Sequence, residues 1–373
     1  MSCRVVLLLL ALLSPLHSLA TEVANLYTAR VDASLKLETG LSQGFDQVLV
    51  RVSGQRNALS NALVMAQKSS VRQYLVQYGY IDEGGKRWLE VTFNQEAVDR
   101  LLRQANLPIW GSLRPMTIVW LATEQNFERE LVSEQSPLLA EANLADVLRQ
   151  RGVPMMLPLL DLDDIMLVDA ADIWGNFPMP AIQASARYSA DQMVMAKLYQ
   201  LGGEQYQLQW SVYQLADMQP NTIAKAWHQE QLQGELDTLL PEWLEQMADV
   251  FGQQYATQAG LSAADSVQVK IYNLTDLSRV LRAEQSLSSM AMVSQVDLQD
   301  FSANYAVFRV NLLGAAQDFY RALALDKQLQ AMETFDAPMV GADAEVTEAD
   351  NDQQGEQQTP AAKQTMPSYM WQM

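Results

Sequence analysis

Imidazole and thiol groups limit what this chain can catalyse, because its 373 residues contain two His, His17 and His228, and one Cys, Cys3. Nucleophilic sites of the Ser–His–Asp or Cys–His kind need a base held against the nucleophile and oriented by a third group. His17 and Cys3 fall in a leader expected to be removed, which leaves His228 alone. Glu230 follows it by two residues, and on a strand that spacing puts both side chains on one face. The pair could act as an oriented general base, but no GxSxG elbow accompanies it. A half-exposed strand histidine is the expectation, with no catalytic residue assigned.

Carboxylates are plentiful, at 44 Asp plus Glu. Asp161, Asp163 and Asp164, followed by Asp169 and Asp172, could offer hard oxygen ligands to calcium. A calcium loop of the EF-hand type starting at Asp161 needs Gly at its sixth position and Glu at its twelfth. Met166 and Asp172 stand there instead, so a solvated loop is expected and no metal site. Paired carboxylates for glycoside cleavage become informative only through their separation in space. Gly84-Gly85 and Gly202-Gly203 read as hairpin turns, and neither phosphate-binding nor dinucleotide-binding glycine motifs occur. No cofactor is expected.

One further cluster lies at the far end of the chain. Met366, Met370 and Met373 beside Trp371 bring thioethers that suit Cu(I). Unpositioned Met are common, whereas Tyr and Trp are favoured interface anchors. Tyr369, Met370 and Trp371 are therefore read as a candidate partner-binding motif on a flexible tail.

The elements that carry these residues begin after an address. Arg4 precedes an apolar run at residues 5–13, and Ser18-Leu19-Ala20 places small residues at −3 and −1, the pattern of a secretory signal. Cleavage is expected after Ala20, and the run is too short to span a bilayer. The formal net charge of −19 disfavours nucleic acid and anionic lipid as partners. No thiol would remain for a disulfide, so stability must come from packed cores.

A first module is expected at residues 21–110: a strand with Leu26, Ala29, Val31 and Ala33 alternating, a helix through Leu41, Phe45, Val48, Leu49 and Val52 stopped by Gly54, and a second helix from Ser60 to Tyr74. A hairpin about Gly84-Gly85 and a helix capped by Asn94 follow. A second module, residues 111–262, reads as βαβαβββα. Its strands are residues 116–122, covered on both faces, 153–160, 192–199, 205–215 and 222–231, and a helix at 236–259 closes it. A third module, residues 263–332, reads as βαββα, and its hairpin-then-helix resembles the end of the first, a remote repeat. Residues 333–373, with seven acids from Asp336 onward against Lys363, are expected to be a disordered acidic tail. The expected class is α+β: three small mixed α/β modules in series.

The segments VLVRVSG (48–54), RPMTIVWLA (114–122), RGVPMMLPLLDLDD (151–164), ADIWG (171–175) and RYSAD (187–191) occur in that order. Together they resemble a bacterial secreted family known only as a domain of unknown function, number two thousand and sixty-six. That family usually has Gly where this chain has Ser189, so a positive φ there would be strained. The resemblance implies an exported envelope protein of proteobacteria and carries over no reaction and no catalytic residue. The order of the second module is also similar to small α/β domains of periplasmic envelope proteins, such as the amino-terminal domain of the Tol translocation protein and the lipoprotein activators of peptidoglycan synthases, an analogy of fold alone.

The expected role is a non-catalytic periplasmic binding or adaptor protein. Its partners would be envelope proteins, with no nucleic acid and no transmembrane segment in the mature chain. The rival readings are a carboxylate-dependent hydrolase of cell-wall sugar and a small-ligand binder with an apolar pocket between modules.

Overall fold

The computed structural model describes residues 23–125, 128–136, 138, 144–215, 223–258, 266–332 and 366–372. The leader and residues 333–365 of the expected tail lie outside the described residues. Mixed helices and sheets follow one another along the chain, and three sheets form in series.

The first sheet contains β1 (Thr28–Asp32), β2 (Leu75–Glu83) and β3 (Lys86–Phe93) in the order β1-β3-β2, antiparallel throughout. Gly84 and Gly85 make its two-residue turn, both at the positive φ that such turns need. Helix α1 (Leu37–Ser53) lays Leu41, Phe45, Val48, Leu49 and Val52 on Ala29, Val31, Leu89, Val91 and Phe93. It ends at Gly54, φ 74°, as its sequence predicts. The second expected helix is broken. Asn61, not Ser60, caps the short α2 (Ala62–Gln67), and 3-10 turns flank it at Arg56–Ser60 and Lys68–Gln73. The Ser60 hydroxyl instead donates to Asn57 O, back into the preceding turn. Helix α3 (Gln95–Gln104), capped by Asn94, closes the unit.

The second sheet runs β5-β4-β7-β8-β9, with β6 beside β4. Its strands are β4 (Thr117–Gln125), β5 (Glu128–Leu131), β6 (Met155–Met156), β7 (Gln192–Gly202), β8 (Gln205–Gln214) and β9 (His228–Glu235). Helices α4 (Leu144–Arg151) and, later in the chain, α8 (Leu236–Tyr255) cover one face, where Val119, Leu121, Val194, Trp210 and Val212 meet Leu240, Trp243, Met247 and Phe251. Helices α5 (Leu162–Leu167), α6 (Ala170–Trp174) and α7 (Pro178–Ser185) cover the other, over Ile118, Trp120, Met193, Met195 and Tyr213. Two covered faces explain why β4 reads as one apolar run. The strand expected at 153–160 shrinks to the two residues of β6. Pro154 and Pro158 flank it, and Pro supplies no N–H to a ladder. β5 falls in a stretch expected to be irregular, and β9 begins several residues later than expected.

The third sheet, β11-β12-β10-β14-β13, holds β10 (Ser266–Tyr272), β11 (Val293–Ser302), β12 (Tyr305–Leu312), β13 (Leu329–Ala331) and β14 (Ser368–Trp371). Helices α9 (Leu277–Ser289) and α10 (Ala316–Leu325) pack on it. The repeat with the first unit is one of topology. In each, strand, helix, hairpin and helix follow in order, and the first strand pairs antiparallel with the third. β13 and β14 have no counterpart in the first sheet.

Candidate functional site

His228 and Glu230 do meet on one face of β9, with Nε2 3.2 Å from a Glu230 oxygen. The imidazole lies against the Trp210 ring, 4.8 Å between centroids. Among the described residues no hydroxyl is hydrogen-bonded to it, so the pair is an oriented imidazole facing no nucleophile. A larger group of carboxylates, Glu242, Glu245 and Asp249 on α8, is taken up by Arg56 and Arg151. These acids bridge elements of the fold.

The motif at Tyr369, Met370 and Trp371 does not hang free. It forms β14, and Tyr369 and Trp371 are 8% and 5% exposed within the core of the third sheet. Aromatic residues two apart on a strand share a face, and here that face is turned onto Ile271, Phe319 and Leu329. For residues 366–372 the expected disordered tail is therefore corrected to an ordered strand flanked by short extended segments.

The aspartates after β6 have a different use from the calcium chemistry weighed for them. Asp161 caps α5 by accepting from Asp164 N, and Arg187 clamps its carboxylate at 2.6 and 2.7 Å. That guanidinium pulls the Asp161 carboxyl down to about 2. Asp164, wholly buried, accepts from Leu160 N and from the Tyr188 hydroxyl, which itself accepts from Leu159 N. Burial, then the Asp164 carboxylate, push the Tyr188 hydroxyl up to about 12. Asp169 and Asp172 close a capping box on α6. Four of the five acids thus satisfy backbone N–H groups, and Asp163 points into solvent with 80% of its side chain exposed.

What this network holds in place is an apolar surface. Leu162, Ile165 and Met166 follow the i, i+3, i+4 spacing of one helix face and are 67%, 57% and 76% exposed. Leu159 just before α5, and Phe177 and Met179 at the start of α7, are exposed as well, and α5 packs on α7. Apolar side chains scattered singly on a surface need no explanation, but with Leu167, 47% exposed, seven lie within about twenty residues here. No Lys or Arg lies between Arg151 and Arg187 in sequence, but Arg187 pairs with the acids of α5, and Arg129 and Lys197 reach Trp174 of α6. Sequence reading makes residues 161–176 less regular with room for a short helix, where two form, and misses the surface. The available signal was LxxIM at helical spacing, directly behind a capping aspartate.

Three of the segments that carried the family resemblance converge elsewhere. Arg51, Arg114 and Arg151 lie buried together where the first and second sheets' units meet. Arg114 stacks on Trp110 with its guanidinium carbon 4.0 Å from the ring centroid, and donates to the carbonyls of Arg51, Trp110, Gly111, Arg151 and Gly152. Burial, with Arg51 and Arg151 nearby, drives its pKa far down from the usual arginine range. Arg51 donates to Asn25, Leu26, Thr28 and Gln150 carbonyls. Arg151 reaches Gly54 O, Glu245 and Asp249. These forks tie units together. Ser189 sits at φ 51°, so the left-handed turn that would suit Gly is present and a Ser occupies it.

Compared with known families, the sequence is similar over residues 20–111 to the one described as Domain of unknown function (DUF8605). The family expected from the five segments is thereby corrected. Four of those segments lie beyond residue 111, and their Arg, Gly and apolar residues serve packing and ties between units. None of the curated proteins matches the sequence.

Proposed function

We propose that this protein is exported to the periplasm and acts there as a non-catalytic binding or adaptor protein of the cell envelope, with the apolar surface of α5 and α7 as its contact. The observation that carries this reading is that surface: seven exposed apolar side chains on a cap fixed by Asp161, Asp164, Arg187 and Tyr188. The chain is acidic as a whole, at −19, so the complementary partner brings an apolar face bordered by Lys or Arg. Anionic lipid is disfavoured by the same charge. The leader pattern ending at Ala20 supports export, and the lone His228 argues against nucleophilic catalysis. No helix of the described residues is long and apolar enough to cross a membrane.

A photo-crosslinking amino acid placed at Met166 in intact cells should give a discrete protein adduct. Ile165→Asp should remove it, and the same probe at exposed Gln229 should not produce it. Equal labelling from both positions, or adducts indifferent to Ile165→Asp, would refute this surface as the contact.

A further inference from the structure

We infer that the third sheet contains an acceptor site for an extended peptide with aromatic residues two positions apart, filled in cis by Ser368–Trp371. β14 is an inserted strand with a neighbour on each side. It runs parallel to β10, pairing Ile271 with Tyr369, and antiparallel to β13, pairing Leu329 with Trp371. Its removal would leave one edge of β10 unpaired and β13 without its only strand partner among the described residues.

The site is built to receive main chain and two side chains. Lys270 N donates to Pro367 O at 3.0 Å, Met332 N to Ser368 O at 2.9 Å, and Gln372 N to Gln328 O at 2.8 Å. Asn273, held at φ 66°, turns its side-chain amide onto Trp371 O at 2.9 Å, and its own backbone and side-chain oxygens accept from Arg279. Tyr369 and Trp371 fill the apolar floor, while Met370 between them stays half-exposed. This is strand addition, in which backbone bonds give affinity and alternate pockets give specificity.

The connection points to exchange. β13 and β14 are antiparallel neighbours, and a turn of two to five residues joins such a pair. Residues 333–365 stand between them instead, a length that extended chain could stretch over on the order of 100 Å. A tether of that kind supplies its end at an effective concentration on the order of 1 mM, so a free peptide competes only at a disadvantage. A short strand with two anchors, held through such a tether, is a cis ligand that the same sequence in trans can replace. The occupant is thus this chain's own MPSYMWQM segment.

A labelled peptide MPSYMWQM, titrated by fluorescence anisotropy, should bind full-length Tyr369→Asp/Trp371→Asp at least about 100-fold more tightly than the unaltered chain, as a millimolar tether implies for a peptide of about 10 μM affinity. A control peptide MPSMYWQM, which puts its aromatics on opposite faces, should bind neither. A second measurement stands even if the double variant unfolds. With a protease site between residues 345 and 346, native mass spectrometry should show the cut segment retained, then replaced by excess labelled peptide. Equal weak binding to both chains by a folded variant, or a cut segment that no excess of peptide displaces or that leaves without rebinding, would overturn the inference.

Discussion

Arg114 shows how much a single side chain can hold together. Its five carbonyl partners come from Arg51, the 110–111 segment and the 151–152 turn, so Arg114→Met leaves buried acceptors unpaired in three places at once. The expected loss is about 3–5 kcal/mol in urea unfolding, in the range found when a buried charged group loses its partner. Asp161 makes a pH-dependent prediction. Its carboxyl is lowered in the folded state by Arg187, so its contribution is complete above the ordinary carboxylate pKa of about 4 and disappears as pH falls through about 2. Protection of the Leu162–Leu167 amides, as exchange relative to the intrinsic rate at each pH, should fall between pH 4 and pH 2, and Asp161→Asn should remove that pH dependence. None of these roles was legible from residue type. Buried arginines resemble surface ones in a sequence, and an aspartate that caps a helix resembles one that binds calcium until its backbone partners are known.

Elements were more legible than residues where one periodicity ran long enough. α1, α8 and the two-glycine hairpin follow from apolar spacing and turn chemistry alone, as does the opening of α7 at Pro178. β6 was legible but overextended to residues 153–160, and β14 was not legible, because a strand of four residues is specified by its neighbours and both of these lie far away in sequence. The broken helix around α2 was overcalled, since apolar residues there keep helical spacing while Ser70 departs from helical φ/ψ. Where elements meet, one contact is set by glycine. A Cβ at Gly252 would lie 2.2 Å from Gly54 O, so α8 and the end of α1 touch backbone to backbone. Gly252→Ala should therefore separate α8 from α1 and lower stability by more than the roughly 1–3 kcal/mol usual for overpacking, measured by denaturant titration. In contrast, Ile165→Asp should leave stability within about 0.5 kcal/mol, because it alters an exposed position.

At the scale of the molecule, the acidity and the missing thiols bounded the answer without locating it. A charge of −19 argued against nucleic acid, and scarce His and Cys argued against most nucleophilic chemistry, yet neither pointed to the cap on α5 and α7. That surface exists because three short helices, each too short to persist alone, are held against one sheet face by a polar network drawn from two distant segments. The third sheet has a consequence for synthesis. Asn273 and Trp371, which share a hydrogen bond, are 98 positions apart. At about 5–20 residues per second, β10 is made on the order of 5–20 s before its parallel neighbour. For that interval the nascent sheet has an open edge, the condition under which strands pair with the wrong chain. The aromatic pair that closes the third sheet is translated after both strands that it joins.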